Sequence, residues 1–252
     1  MMIICKKLDP KDTVCSLEEW YSKCPPQRKD LHWQPDHSAM ETAKLWLRGI
    51  PKEFLEILRN RDLEIEFCAP ELNTRFDKYK GNVRNHDLLI IAKDKKDEII
   101  VVSIESKVDE PFDKTIGPYL KAIKRKKENR ENSNADYRIE DLRKAILPQV
   151  DNIVFESLKY QLVTAVAGTL REAKIQGTKK AIFLVQTLKT SNMNEGKNRK
   201  NQRDLDHFME VISNGKYQNI HENDLFGSFK FTGNQFIPDN VELWIGKYSV
   251  EI

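Results

Sequence analysis

The strongest constraint on this chain is a pair of apolar runs, HDLLIIA at 86–92 and EIIVVSIESKV at 98–108, separated by the charged stretch KDKKD. Val and Ile are stiff at χ1 and fit a pleated surface better than a helix, so both runs predict strands. A short polar connection between them predicts an antiparallel hairpin. Both runs also carry charge at one end: Asp87 in the first, Glu105 and Lys107 in the second. Charged groups beside a core are costly unless paired or put to use.

The other elements give the hairpin its surroundings. Residues 1–37, with Pro10, Pro25, Pro26 and Pro35, read as an irregular arm holding a short helix at 16–23. Ser38 as N-cap, with Glu41 three residues on, forms a capping-box pattern before the apolar stripe Ala43, Leu45, Trp46 and Leu47. Pro51 opens a second helical stretch to about Asn60. LEIEFCA at 63–69 alternates apolar and acidic residues as a strand does, and a polar loop is expected after it. Residues 113–150 are polar and basic with helical stretches and read as an insertion.

One long helix is predicted over 152–176, from Leu158, Leu162, Ala165, Val166 and Leu170 at helical spacing and Gly177 at its end. AIFLVQTL at 181–188 is a buried strand. A C-terminal extension, 189–252, holds a basic loop, a short helix at 204–213 and a strand near 241–250. The order predicts an α/β fold, a mixed β-sheet flanked by helices, in one domain over 1–252 with its core at 38–188.

Composition removes several functional classes. Cys5, Cys15, Cys24 and Cys68 contain no C-x-x-C pair and match no common zinc spacing, so they read as reduced thiols. There is no apolar leader and no run of about 18 apolar residues, so the expectation is a cytoplasmic protein without a membrane partner. Phosphate loops of the G-x-x-x-x-G-K type, G-x-G-x-x-G and G-x-S-x-G are absent, which leaves nucleotide hydrolysis, Rossmann chemistry and serine hydrolysis unsupported. The net charge of +3 hides local clusters. Residues 121–130 carry six basic side chains against one Glu, and 197–203 carry four and no acid. Lys121, Lys124, Arg125, Lys126, Lys127, Lys197, Arg199 and Lys200 are therefore candidates for contact with a nucleic-acid backbone, the alternative being two solvated loops.

A phosphodiesterase needs a divalent metal to offset transition-state charge and to acidify the attacking water. Mg²⁺ prefers oxygen ligands and retains several waters, so two carboxylates and a backbone carbonyl suffice. Asp87 and Glu105 lie on facing strands, and Lys107, two residues beyond Glu105, shares its face. Register is the test. A two- or four-residue loop centred on Lys95 and Lys96 would pair Asp87 with Ile104 and turn Glu105 away, so an odd-numbered loop or a bulge is predicted. The pattern [D/E]-x-K alone carries little, because Asp9 to Lys11, Asp94 to Lys96, Glu172 to Lys174 and Glu195 to Lys197 share it. Only Glu105 and Lys107 end an apolar strand whose partner strand begins with an acid. The plainer alternative is an internal ion pair between Lys107 and Asp87.

HDLLII, IVVSIESK and a later helix bearing Lys159, Tyr160 and Gln161 together resemble the PD-(D/E)XK nuclease superfamily over roughly residues 38–188, whose restriction-endonuclease-like core is ordered αβββαβ. The chain looks closest to an uncharacterised prokaryotic family in which the third motif continues as K-V-D-E-P-F, here Lys107 to Phe112, with a Y-Q-L segment at Tyr160 to Leu162. The resemblance implies a Mg²⁺- or Mn²⁺-dependent nuclease, with Asp87 and Glu105 as metal ligands and Lys107 as catalytic lysine. It also implies Gln161 as the helix glutamine and Glu41 as the acid some members carry on the first helix. The sequence departs from the pattern in two places: His86 stands where a proline is expected, and the glutamine helix lacks the full motif of the exonuclease members.

Asp109 shares the face of Glu105 and Lys107 if the strand continues, whereas Glu110 and Pro111 favour its closure there. His86 is expected on the other face from Asp87, in a supporting or core role. His32 and His37 lie in a proline-broken segment with no helix to align them, and Tyr160 is expected to be buried. The leading expectation is a nuclease acting on DNA, with a biological setting such as host defence suggested by resemblance alone. A nucleic-acid-binding or assembly module of the same fold without turnover is the alternative, and a buried structural ion network is the third. Homo-oligomerisation is left open.

Overall fold

The structure, a computed structural model, describes residues 3–131 and 133–252. Its frame is a sheet of seven strands among the described residues: β1 (Ile3–Ile4), β2 (Glu64–Thr74), β3 (Arg84–Lys93), β4 (Ile99–Lys107), β5 (Lys180–Lys189), β6 (Leu225–Phe229) and β7 (Glu242–Glu251). They lie side by side in the order β1-β2-β3-β4-β5-β7-β6. β2, β3 and β4 are antiparallel neighbours, and β5 and β7 join parallel. This is a mixed α/β sheet, and its two central strands, β4 and β5, are almost wholly buried because helices cover both faces.

One face packs under α1 (Leu17–Lys23), α2 (Lys29–His32), α3 (Ser38–Arg48) and α4 (Lys52–Arg59), where Trp20, Trp46 and Phe54 meet Leu88, Ile90, Val102 and Ile104. The other packs under α5 (Ile116–Glu128), α6 (Ala135–Ile146), α7 (Asn152–Ser157), α8 (Tyr160–Ile175) and α9 (Glu195–Ile212). α8 is buried nearly all round and lies directly on the sheet, which accounts for a sequence apolar on every side.

Several sequence expectations need correction. The single helix over 152–176 is two helices, because Leu158 is extended, Lys159 is the N-cap of α8, and Thr115 bridges to Lys159. α8 therefore begins at Tyr160, and Gln161 sits in its first turn. The N-cap of α3 is His37 rather than Ser38, and no side chain caps it. Glu41 instead accepts from the Asp36 N–H at 3.0 Å. The polar loop after residue 69 is strand, with Pro70 tolerated because, among the described residues, β1 pairs with β2 only at Phe67 and Cys68 and leaves the edge open at Pro70. The basic loop before the C-terminal helix is itself helix, since Asn194 caps α9 by accepting from Lys197 N at 3.0 Å. The N-terminal arm contributes β1 to the sheet and the buried Trp20 to the core. β6 was not anticipated.

Candidate active site

β3 and β4 pair from Lys93 opposite Ile99 to Leu88 opposite Ile104, which leaves Asp94–Glu98 as the connection. That length is odd, and Asp94 stabilises it by accepting from the N–H groups of Lys96 (2.8 Å) and Glu98 (3.1 Å). Continued one step, the same register sets Asp87 opposite Glu105. Ladder pairing between the two strands has ended there. β3 continues with β2 as far as Arg84, whereas β4 continues with β5 as far as Lys107. The chain turns over at Asp87: His86 lies against Gly168 of α8, while Leu88 packs in the layer beneath α3 and α4.

The gap where the strands part is filled by charge. The Asp87 carboxylate accepts from the Ser106 N–H at 2.7 Å, in place of a ladder bond. Glu105 is 1% exposed and accepts on both oxygens. Lys107 (2.7 Å) and Gln161 (2.6 Å) donate to Oε1, and Arg84 donates to Oε2. Gln161 in turn accepts from the Asp113 N–H at 3.3 Å, which fixes its amide. The Lys107 ammonium also lies 5.4 Å from the Phe112 ring.

A third carboxylate belongs to this site. Pro70 opposite Leu88 and Leu72 opposite His86 bracket Glu71 and Asp87 as cross-strand partners. Glu71 has φ of 50°, a left-handed conformation. Burial, then Asp87 and Glu105, raise its carboxyl well above the usual range. Asp87 is pushed up to about 7 by burial and by Glu105. For Glu105 burial acts to raise, but Lys107 and Arg84 outweigh it and hold the group low. Burial acts to lower Lys107, and Glu105 and Asp87 outweigh that, keeping the ammonium charged. Three carboxyl groups thus crowd two cations, and burial with mutual repulsion favours the protonated form of Glu71 and Asp87 while Glu105 stays ionised.

Of the residues singled out from the sequence, Asp87, Glu105, Lys107 and Gln161 are brought together. Glu41 is not: α3 covers the opposite face of the sheet, and its carboxylate is held by Lys44 at 2.7 Å. β4 ends at Lys107. Glu110 closes the turn by accepting from Val108 N (2.8 Å) and Ser38 N (2.7 Å), while Asp109 accepts from Asn194 N at 3.2 Å. His86 is buried and kept neutral by burial and by Arg84, held between Ser103 (2.6 Å) and Thr74 (3.1 Å). Tyr160 is half-buried and packs on Tyr119, with ring centroids 5.1 Å apart. His32 and His37 are half-buried outside the site.

Lys121, Lys124, Arg125, Lys126 and Lys127 are exposed on α5, about 8–17 Å along the axis from its start near Gln161. Lys197, Arg199 and Lys200 are exposed on the first turns of α9, where Lys197 lies 3.5 Å from Asp109. Glu71 and Arg84 were missed. Pro70 disguises the first as loop, and the second precedes the apolar run. The one available signal for Arg84 is Gly168, a glycine inside an apolar helix, where a Cβ would stand 2.7 Å from the Arg84 stem.

No three Asp, Glu, His or Cys side chains among the described residues form a ready-made metal cage. The donor set still suits Mg²⁺ or Mn²⁺, which needs only one or two carboxylates and keeps its waters, and a cation would favour the ionised form of Asp87. None of the four cysteines forms a disulfide, and no helix among the described residues is long and apolar enough to cross a membrane. Residues 13–251 match DUF6946, a domain of unknown function, and the chain belongs to that family. No curated protein and no solved structure matches it.

Proposed function

We propose that this protein is a divalent-metal-dependent nuclease of the PD-(D/E)XK type that hydrolyses phosphodiester bonds in DNA. The observation that carries the reading is the meeting of Asp87, Glu105, Lys107 and Gln161 where β3 and β4 part. Asp87 and Glu105 would hold Mg²⁺ or Mn²⁺, which when bound acidifies a water and offsets charge on the phosphate. Ser106 N–H fixes Asp87, and Gln161 orients Glu105. Lys107, charged and beside both carboxylates, is placed to hold the attacking water or to stabilise the developing oxyanion. The basic faces of α5 and α9 would track the DNA backbone. A cytoplasmic site of action, and host defence as its setting, go with this reading.

A second reading, an inactive nucleic-acid-binding or assembly module, is favoured by one observation: Glu105 is already satisfied by Arg84, Lys107 and Gln161. Incubation with plasmid DNA, single strands and RNA in Mn²⁺, comparing wild type with Lys107→Ala, separates the two. Metal-dependent cleavage lost in the variant is the result expected. Binding without cleavage by wild type would make the protein a module, and cleavage of RNA alone would move the substrate.

A further inference from the structure

We infer that Arg84, which holds Oε2 of Glu105, is a built-in counter-cation that competes with the divalent metal for this carboxylate and so sets the metal affinity of the site. The inference rests on the proposed metal-dependent reading and concerns a residue that reading does not use.

The guanidinium reaches Glu105 from β3, and its side chain is 6% exposed. The path is built for it. The stem runs beneath α8 at Gly168, where an added Cβ would stand 2.7 Å from Arg84 Cγ and 3.0 Å from the His86 ring. Any larger residue at 168 must displace one of them. His86, against the same glycine, is pinned by Ser103 and Thr74, and Thr74 donates to Glu172. Arg84 is thus held close under α8 at its stem, with its guanidinium at Glu105.

Its satisfaction is incomplete. The Arg84 Nε is buried and has no hydrogen-bond partner among the described residues, so the guanidinium is held to Glu105 through one terminal nitrogen and not by a bidentate fork. A group held by one end is easier to displace than a forked pair. Lys107 and Gln161 both donate to Oε1 and Arg84 to Oε2, so a metal ion that Glu105 and Asp87 would hold meets the Arg84 charge on the same carboxylate. Two cations on one carboxylate in a buried site repel each other strongly. Arg84 therefore stabilises Glu105 without metal and opposes metal when it arrives.

The test is a calorimetric titration of the full chain with Mn²⁺. Arg84→Met keeps the stem and removes the charge, and it should bind Mn²⁺ on the order of tenfold more tightly than wild type. Its metal-free melting temperature should fall, and saturating Mn²⁺ should restore more of it than in wild type. Arg84→Lys, which keeps the charge, should stay near wild-type affinity. A residue that only props the fold would lower the melting temperature with no change in Mn²⁺ affinity, and that outcome, or weaker binding, overturns the inference. Absence of Mn²⁺ binding by wild type overturns the metal-dependent reading and this inference with it. Should Arg84→Met fail to fold, arginine side-chain NMR on wild type serves instead. Saturating Mg²⁺ should free one slowly rotating guanidinium, and an unchanged spectrum counts against the competition.

Discussion

The two faces of the sheet solve burial in different ways. Beneath α3 and α4 the layer is dominated by large apolar side chains, and its central polar cluster is small, with Gln186 accepting from Trp46 Nε1 (3.1 Å) and the Tyr248 hydroxyl (2.7 Å). Beneath α8 a polar seam crosses the core: Glu172, Thr74, His86 and Ser103 in one chain, and Arg84, Glu105, Lys107 and Gln161 beside it. The first face buries its area mainly through apolar packing. Replacing a buried ion network by apolar residues of similar volume is often neutral or stabilising. Stability alone therefore gives no reason for four ionisable side chains, Asp87, Glu105, Lys107 and Arg84, to converge where β3 and β4 part.

The comparison is tested most severely by one substitution on each face. Phe54→Ala, on the apolar side, should cost about 3–5 kcal/mol by leaving a cavity. Glu105→Ala should cost a similar amount, about 3–5 kcal/mol, because Lys107 and Arg84 are left buried without their carboxylate. Urea unfolding measures both, and saturating Mn²⁺ discriminates them. It should stabilise Phe54→Ala as it does wild type and have no effect on Glu105→Ala. Equal responses to metal would remove the distinction between the faces.

Turnover is the next largest effect. Lys107→Ala should bind Mn²⁺ yet cleave DNA roughly 10²–10³-fold more slowly, the usual loss for one preorganised electrostatic contact. Asp87→Ala should lose both metal binding and cleavage, since one carboxylate makes a poor Mg²⁺ site. Wild-type cleavage by Lys107→Ala at saturating Mn²⁺ would reduce the lysine to a counter-ion.

Gly168→Ala probes the seam more gently. The added methyl presses on Arg84 and His86, which are far less free to move than surface groups, and overpacking of this kind costs about 1–3 kcal/mol. Thermal unfolding within about 0.5 kcal/mol of wild type would mean that α8 can lift away without penalty.

What was legible in the sequence follows the range of the forces involved. β3 and β4 announce themselves through contiguous β-branched runs, and Asp87, Glu105 and Lys107 stand out against them. The odd-numbered hairpin loop follows from asking what register would let two carboxylates meet. Arg84 was not legible, because its meaning depends on Glu105, 21 positions on, and on Gly168 in a helix that arrives much later in the chain. Glu71 was hidden because a proline in a strand is acceptable only at an open edge, and which strand lies at an edge is a property of the sheet. The break at Leu158 was hidden because the apolar spacing runs through it, while the extended geometry comes from pairing with Thr115. The helical state of 195–203 depends on a local cap at Asn194 that basic composition obscured.

The smallest expected effect lies outside both faces, at the start of α9. Lys197 is exposed, and its pairing with Asp109 at 3.5 Å is a surface ion pair, worth about 0–1 kcal/mol. Lys197→Gln should therefore leave stability nearly unchanged. The same substitution removes a cation held two residues beyond Lys107, at the edge of the proposed site. If that cation neutralises one DNA phosphate, the slope of log affinity against log salt should shrink by about 0.9. Lys126→Gln on α5 should reduce it by a similar amount if that helix flanks the strand path as well. A slope that changes for Lys197 and not for Lys126 would restrict the contact surface to the end of the sheet where β4 and α9 meet. Two unchanged slopes would leave both basic segments as solvated helix surfaces and confine the charge that matters to the seam under α8.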